Sequence, residues 1–280
     1  MSYPYFFISA ENMTNDDVEI FGDDLNHLSK VLRLKIGDKV ELSDNDKYKY
    51  SAEIINIKKD KAILKILNKT EIRKSLVNYF LFQCILKRNS MELVIQKATE
   101  IGIDFIIPVK SLRTVVNEKI DNQKLIRWNK ISLEASKQSK RDFKSEVLSE
   151  INIKDINPSE FDIFFIPYEK ESPLKMKDKN IINDLKIFIE DKLKNKELLK
   201  NSKNIEFDKD KDSYIDKFKN KSFKIGYIVG PEGGFEQNEA WQLIEKGASA
   251  ISLGDNILKA ETAAIFMASI IKYTLDLCFY

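Results

Sequence analysis

The sequence is poor in the residues that build most disulfide and metal sites. It contains two cysteines, Cys84 and Cys278, both within apolar runs, and a single histidine, His27. Two such cysteines cannot form a disulfide framework, which favours a reducing compartment. One histidine excludes a histidine-rich metal centre and leaves one residue for any histidine-based triad. We therefore expect a cytoplasmic protein without a bound metal.

The sequence also lacks an excess of charge and a long uninterrupted apolar run. Its 46 basic and 44 acidic residues leave a net charge of +2, which disfavours a strongly basic protein that coats nucleic acid. Residues 1–12 lack the basic segment and apolar core of a secretory signal. The apolar stretch 260–280 is interrupted by Glu261, Lys272 and Asp276. We interpret this stretch as a buried helix, so we expect no membrane association.

Residues 1–72 favour a small β-barrel. Short segments alternate apolar and polar residues, as half-buried strands do, and turn residues separate them: 39–42, 52–57 and 62–67. Several short strands at this spacing are typical of a barrel. A helix is predicted over Leu25–Leu34, with Leu28, Val31 and Leu32 on one face.

From about residue 76 the pattern changes to alternating strands and helices. The buried strands are predicted at 77–86, 105–109, 161–166, 223–229 and 250–253. The helices are predicted at 91–101, with Gly102 as the C-terminal cap, and at 125–140, 240–246 and 260–277. This alternation indicates an α/β domain with a mostly parallel sheet over 73–280. A charged insertion is predicted at about 175–220, and we interpret it as a surface segment without a chemical role. The alternative is a lysine-rich arm that binds RNA phosphates.

Two glycine-containing loops each follow a strand and precede a helix. The first spans Ile228–Phe235 and holds three of the nine glycines, and the second spans Ile251–Ala263. Parallel sheets bind ligands at the carboxyl ends of their strands, where glycine leaves backbone amides accessible. The loops match neither G-x-G-x-x-G nor a P-loop, which disfavours a nucleotide phosphate site. For the first loop the alternative is a tight strand-to-helix turn without a ligand.

The residues of these loops resemble one family. Val229–Phe235, Leu253–Gly254 and Ile257–Ala263 are similar to the signature loops of the bacterial 16S ribosomal RNA uracil-N3 methyltransferases, which belong to the SPOUT (trefoil-knot) class. Further upstream, His27–Leu34 and Gly37–Asp38 resemble the N-terminal motif of that family. Lys259 departs from the pattern, because the family usually carries arginine there. Lysine keeps the charge but lacks the bidentate fork.

The resemblance implies a PUA-like β-barrel followed by a knotted SPOUT domain that acts as a homodimer. It implies S-adenosylmethionine as the cofactor and a uridine of 16S ribosomal RNA, in the assembled small subunit, as the substrate. The cofactor is expected to contact mostly backbone and apolar groups, which are those of Tyr168, Val229, Gly230, Glu232, Gly233, Gly234, Leu253, Gly254, Ile257 and Leu258.

The chemistry assigns candidates to three further roles. Uracil N3 must lose its proton before it can accept a methyl group, so a base and a cation near the uracil oxygens are needed. Glu261 is the candidate base, with a helix-dipole role as the alternative. Lys259 and Arg141 are the candidate cations, with surface and phosphate-binding roles as the alternatives. The candidate RNA contacts are His27, Arg33, Arg113, Lys140 and Arg141.

Two other functions stay open from the sequence. One is a knotted methyltransferase for another RNA, such as transfer RNA, although the N-terminal motif argues against it. The other is an RNA-binding factor of ribosome assembly without catalysis, which degraded glycine loops would favour. The glycine loops of this sequence are intact.

Overall fold

The computed structural model describes residues 3–14, 17–72, 75, 77–115, 120–168, 185–187 and 223–279. The chain divides into two compact units, 1–75 with 133–144 and 76–132 with 145–280. Residues 133–144 thus pack with the N-terminal strands, whereas the sequence placed them in the C-terminal domain. Apart from 185–187, the predicted insertion at 175–220 lies outside the described residues.

The N-terminal unit is built on a curled sheet of six strands in the order β1-β4-β5-β6-β3-β2. The strands are β1 (Tyr5–Phe7), β2 (Met13–Thr14), β3 (Asp17–Ile20), β4 (Lys39–Ser43), β5 (Tyr48–Ile57) and β6 (Ala62–Glu71). Strand β1 runs parallel to β4, and the other pairs are antiparallel. Alternate residues of β5 and β6, such as Ile54 and Leu64, enter one apolar core with Phe6 and Leu28. This sheet confirms the barrel-like N-terminal fold.

The helix predicted over residues 25–34 begins and ends three residues earlier in the structure. Helix α1 (Gly22–Asn26) continues into a π-helical turn, His27–Val31, and Leu32 N donates to His27 O at 2.9 Å. The wider turn rotates the following residues, because each bond spans five residues instead of four. Leu28 is buried, but Val31 is 67% exposed and Leu32 is also exposed. The π-helical turn therefore separates buried Leu28 from Val31 and Leu32, which the sequence placed on one face.

The C-terminal unit is built on a sheet whose strand pairs are all parallel within the described residues. The strands are β7 (Val77–Cys84), β8 (Phe105–Lys110), β9 (Glu146–Val147), β10 (Ile151–Asn152), β11 (Ile163–Pro167), β12 (Phe223–Val229) and β13 (Ser249–Ile251). Their order is β10-β8-β7-β12-β11-β13, with β9 also paired to β8. The prediction of a mostly parallel sheet is confirmed.

Helices cover both faces of this sheet and give it two apolar cores. They are α2 (Arg88–Ile101), α3 (Asn122–Gln138), α4 (Gln237–Glu245) and α5 (Ala260–Phe279). Helix α2 ends at Gly102, whose φ of 119° suits glycine and confirms the predicted C-terminal cap. The Tyr227 hydroxyl of β12 donates to Ala264 O at 3.1 Å and so joins α5 to the sheet. Among the described residues, no helix is long and apolar enough to cross a membrane.

Candidate active site

A cavity of about 620 Å³ lies at the carboxyl ends of β11, β12 and β13. Helices α2 and α5 begin beside it, so that loops and helix N-termini form much of its wall. All lining residues belong to the C-terminal unit. They are Lys87, Ser90, Arg113, Pro167, Tyr168, Val229, Gly230, Pro231, Glu232, Gly233, Gly234, Phe235, Ile251, Leu253, Gly254, Asn256, Ile257, Leu258, Lys259, Ala260, Glu261 and Ala263.

The first loop, residues 230–236, is a turn with buried anchors. Gly234 N donates to Pro231 O at 2.9 Å, and Gly234 takes a φ of 67°, which glycine adopts without strain. Pro231 and Phe235 are buried. The Phe235 ring packs so closely under Gly230 that an added Cβ there would lie 3.3 Å from it. The loop is therefore fixed to the core at both ends of its turn.

Neighbouring segments also hold the first loop. The Glu232 carboxylate accepts a hydrogen bond from Lys87 N, just before α2, at 3.2 Å. Arg113, in the loop after β8, donates to Gly233 O at 3.3 Å and pairs with Glu236 at 2.5 Å. Charge-assisted bonds of this kind are stronger than neutral ones. The loop thus carries contacts from two distant parts of the chain.

The second loop, residues 252–259, is held more loosely. Gly254 has a φ of 108°, and its N–H donates to the Ser252 hydroxyl at 3.2 Å. Leu253 and Leu258 pack in part against the core, but Ile257 is 84% exposed. Lys259 and Glu261 follow, where α5 begins. This loop therefore presents apolar and charged side chains to the cavity from an exposed backbone.

Two sequence profiles match the chain. The profile described as an RNA methyltransferase domain matches residues 73–190 and 178–272, and the profile described as an RNA methyltransferase PUA domain matches residues 22–67. The two segments of the first profile together span residues 73–272, which is more than half of the chain.

The chain belongs to the RNA methyltransferase family.

Relatives of this RNA methyltransferase carry a more specific name. The Ribosomal RNA small subunit methyltransferase E of Mesomycoplasma hyopneumoniae is 32% identical over 87% of this chain and 88% of its own length. The Bacillus subtilis protein of the same name is 26% identical over 97% of each chain. The family resemblance seen in the loop motifs is thereby confirmed.

Solved structures show the same fold. The Neisseria gonorrhoeae Ribosomal RNA small subunit methyltransferase E, bound to S-adenosyl methionine, superposes with a TM-score of 0.71 at 24% identity, covering 97% of each chain. A putative methyltransferase of Legionella pneumophila, in complex with the same cofactor, superposes with a TM-score of 0.74 at 22% identity, covering 98% of each chain. These likenesses confirm the predicted fold class, a PUA-like barrel followed by a SPOUT domain.

The structure of this RNA methyltransferase brings most of the predicted site residues together. Lys259 and Glu261, two of the three catalytic candidates, line the cavity, and so does Arg113. Their roles remain predictions. The predicted cofactor contacts also line it, namely Tyr168, Val229, Gly230, Glu232, Gly233, Gly234, Leu253, Gly254, Ile257 and Leu258.

The other candidates lie in the N-terminal unit and do not line the cavity. Arg33 is exposed at a φ of 54°, and His27 contacts the Phe6 ring edge-on at 6.2 Å. Lys140 donates to the Glu41 carboxylate. Arg141 Nε donates to Phe143 O at 3.0 Å. Their roles in binding RNA remain predictions.

The loop that carries Lys140 and Arg141 is tied to the N-terminal strands. The Tyr5 hydroxyl donates to Arg141 O at 2.8 Å, and burial raises the pKa of this phenol above its ordinary value. The Ser43 hydroxyl donates to Asp142 O at 2.7 Å. These contacts fix the backbone from which Arg141 projects.

Sequence reasoning missed the importance of Glu239. It lies in the first turn of α4 and is only 4% exposed, although an acidic residue there usually faces solvent. Its carboxylate accepts hydrogen bonds from Leu112 N at 2.8 Å and from Glu236 N at 3.2 Å. The sequence signal was an acidic residue four positions after Phe235, which alone does not distinguish a buried anchor from a surface residue.

Proposed function

We propose that the protein transfers a methyl group from S-adenosylmethionine to N3 of a uridine in small-subunit ribosomal RNA. The observation that carries this proposal is the single cavity that gathers both signature loops with Lys259 and Glu261. The relatives named above support the choice of substrate. The family resemblance of the loops supports uridine N3 as the target and the assembled small subunit as the form recognised.

The cavity fits the cofactor in size and in chemistry. Its volume of about 620 Å³ falls within the range of roughly 300–1,000 Å³ that small-molecule sites occupy. Val229, Leu253 and Leu258 offer an apolar slot for the adenine ring, and the glycine backbone offers amides and carbonyls for its polar edge. When bound, S-adenosylmethionine supplies an electrophilic methyl group on a sulfonium.

The side chains beside this slot suit the needs of the acceptor. Uracil N3 becomes nucleophilic when its proton leaves, so a base must take the proton and a cation must stabilise the anion. We assign the first role to Glu261 and the second to Lys259, both of which line the cavity at the start of α5. Lysine acts here as a point charge and not as a bidentate fork.

Substrate RNA is proposed to contact the N-terminal unit as well. The candidate contacts are His27, Arg33, Lys140 and Arg141, which all belong to that unit. Arg141 carries a guanidinium, the kind of group that binds phosphate and uracil oxygens. Since N3 lies on the Watson–Crick edge, the target uridine must be unpaired or extruded when it reacts.

A homodimer is part of the proposal. Helix α5 buries one face in the core, but Thr262, Phe266, Ser269 and Tyr273 are exposed at helical spacing on another face. Two large aromatic side chains on one exposed stripe suit an interface with a second copy.

Light scattering during size-exclusion chromatography tests the dimer. We expect twice the chain mass of 32.5 kDa for the wild type, and the single-chain mass for the double variant Phe266→Glu, Tyr273→Glu. The control, Ile126→Glu, alters an exposed apolar residue of α3 and keeps the dimer. A wild type with the single-chain mass contradicts the homodimer.

Mass mapping of ribosomal RNA tests the reaction. A strain that lacks the gene is expected to lose one methyluridine from small-subunit RNA, and the purified protein with S-adenosylmethionine is expected to restore it. Glu261→Gln and Lys259→Met should each slow the reaction by on the order of 100-fold, the scale of a lost proton-transfer or charge-stabilising group. The control Glu245→Gln, at an exposed position of α4, should react normally.

The same experiment separates the alternatives. Unchanged small-subunit RNA together with a methyl group missing from transfer RNA indicates another substrate. No missing methyl group and no S-adenosylmethionine binding by calorimetry indicate an RNA-binding factor without catalysis.

A further inference from the structure

The buried Glu239 carboxylate joins two loops that are far apart in sequence. One of its oxygens accepts from Leu112 N, 127 residues away, at 2.8 Å. The other accepts from Glu236 N, at the end of the first glycine loop, at 3.2 Å. A carboxyl group that is 4% exposed needs such partners, because a buried polar group without them is costly. Both oxygens therefore act as fixed acceptors between the loop after β8 and the glycine loop.

Arg113 forms a second link between the same two loops. Its guanidinium donates to Gly233 O at 3.3 Å and contacts the Glu236 carboxylate at 2.5 Å. The Arg113 stem lies against Gly233, where an added Cβ would be 3.5 Å from Arg113 Cβ. The side chain thus follows the backbone of the glycine loop along the rim of the cavity.

The loop that carries Leu112 and Arg113 is closed by hydrogen bonds between Ser111 and Thr114. Ser111 and Thr114 are buried, Ser111 N donates to the Thr114 hydroxyl at 3.0 Å, and Thr114 N donates to Ser111 O at 3.2 Å. Beneath it, Ser111 contacts the fully buried Cys84, whose pKa burial raises to about 12. The turn 111–114 is therefore held by its own hydrogen bonds and packs on the apolar core. It can in turn hold the first glycine loop in place.

We propose that Glu239 and Arg113 are positioning residues, which hold the first glycine loop in the shape that binds S-adenosylmethionine. The inference rests on the proposed function, since it assigns this loop to the cofactor. Recognition by backbone groups requires a fixed backbone, and ordering a free residue on binding costs conformational entropy. The two links supply that order before the cofactor arrives. Arg113 accordingly acts on the cofactor loop and not on RNA phosphate.

Cofactor affinity and turnover distinguish these roles. Arg113→Met and Glu239→Gln are each expected to raise the Kd for S-adenosylmethionine by about tenfold, the scale of a lost charge-assisted hydrogen bond. At saturating cofactor, kcat and the KM for small ribosomal subunits should stay within about twofold of wild type, because neither side chain acts on the substrate. Arg113→Lys keeps one of the two contacts and should give an intermediate Kd.

The matched control is Arg127→Met. Arg127 forms an ion pair with Glu92 at 2.9 Å, but neither residue lines the cavity. Its loss should leave the Kd for S-adenosylmethionine unchanged. Thermal unfolding of each variant reports whether it folds. If Glu239→Gln does not fold, Arg113→Met decides, because its side chain is 40% exposed and its loss leaves the core intact.

Three different results would contradict either the proposed function or the positioning role. A wild type that does not bind S-adenosylmethionine contradicts the proposed function. A wild type that binds it, with unchanged Kd in the Arg113 and Glu239 variants, contradicts only the positioning role. An Arg113→Met protein with a raised KM for ribosomal subunits and an unchanged cofactor Kd also contradicts that role, and identifies Arg113 as an RNA contact.

Discussion

The two glycine loops of the cavity differ in how the rest of the protein holds them. The first, residues 230–236, is anchored by buried Pro231 and Phe235 and is linked to Arg113 and Glu239. In the second, residues 252–259, no residue is fully buried, and its side-chain hydrogen bonds within the described part of the chain join only Ser252 to Gly254. Both loops follow a parallel strand, so strand position alone does not account for the difference.

The difference suggests that the two loops have different roles in binding the cofactor. A preformed loop offers fixed hydrogen-bonding groups and loses little entropy when a ligand binds. A loosely held loop can close over the ligand, and it gains contacts only when the ligand is present. Apolar Ile257, exposed in the second loop, has much surface to bury on closure. We expect the first loop to determine where the cofactor sits and the second to cover it.

The largest expected effect comes from removing an anchor of the first loop. Phe235 is 6% exposed and packs in the core beneath Gly230, so Phe235→Ala should lower the free energy of unfolding by about 3–5 kcal/mol. Ile257→Ala, in the second loop, should change it by less than about 0.5 kcal/mol and weaken cofactor binding by about fivefold. Urea unfolding and calorimetry measure both quantities. Equal losses of stability in the two variants would contradict the comparison.

The next effect concerns backbone conformation in the second loop. Gly254 has a φ of 108°, which a β-branched residue adopts only with strain. Gly254→Val should weaken S-adenosylmethionine binding by on the order of 100-fold, since the strained form costs about 1–3 kcal/mol. The loosely held loop can relax in the free protein, so the melting temperature should change little.

Gly247 provides the matched control for this variant. It has a similar φ of 105° but follows α4 and does not line the cavity. The next residue, Ala248, is buried and bonded to Leu243 O at 2.9 Å, so the backbone there cannot relax. Gly247→Val should lower the melting temperature and leave the cofactor Kd unchanged. The opposite pattern in the two variants would show that the second loop is the rigid one.

The smallest expected effect is a difference in amide exchange between the unmodified loops. Without cofactor, the amides of residues 252–259 should exchange at least about tenfold faster than those of 234–236, because few hydrogen bonds hold the second loop closed. Saturating S-adenosylmethionine should protect the second loop more than the first. Hydrogen–deuterium exchange with mass spectrometry measures both. Uniform protection of both loops before the cofactor is added would remove the basis for a covering role.

Local patterns predicted much of the fold of the C-terminal unit. The strand predicted at 223–229 agrees with β12, and α2 ends at Gly102 as expected. Continuous apolar runs and helical periodicity mark these elements because both faces of the sheet are covered. The pattern was less informative at Val31 and Leu32, where a π-helical turn exposes residues that helical periodicity places on one face with Leu28.

In the candidate site, too, local sequence patterns identified some residues and missed others. The motif residues of the two loops were identified from the sequence, because a backbone-recognising site leaves glycines and a characteristic order of residues. Buried Glu239 and the link from Arg113 to Gly233 were not identified, since each depends on a partner more than one hundred residues away. Arg141, the other candidate cation, belongs to the N-terminal unit, and its role stays a prediction.

By itself, the sequence determined the family, the alternation of strands and helices, and the two loops that carry the signature residues. These features depend on local periodicity and on residue types at short spacing. The sequence resemblance already predicted that both loops contact one cofactor, but only the tertiary structure decided that Glu239 is buried and that Arg113 braces the first loop. The reason is physical, because burial and pairing arise between segments that only the folded sheet brings together.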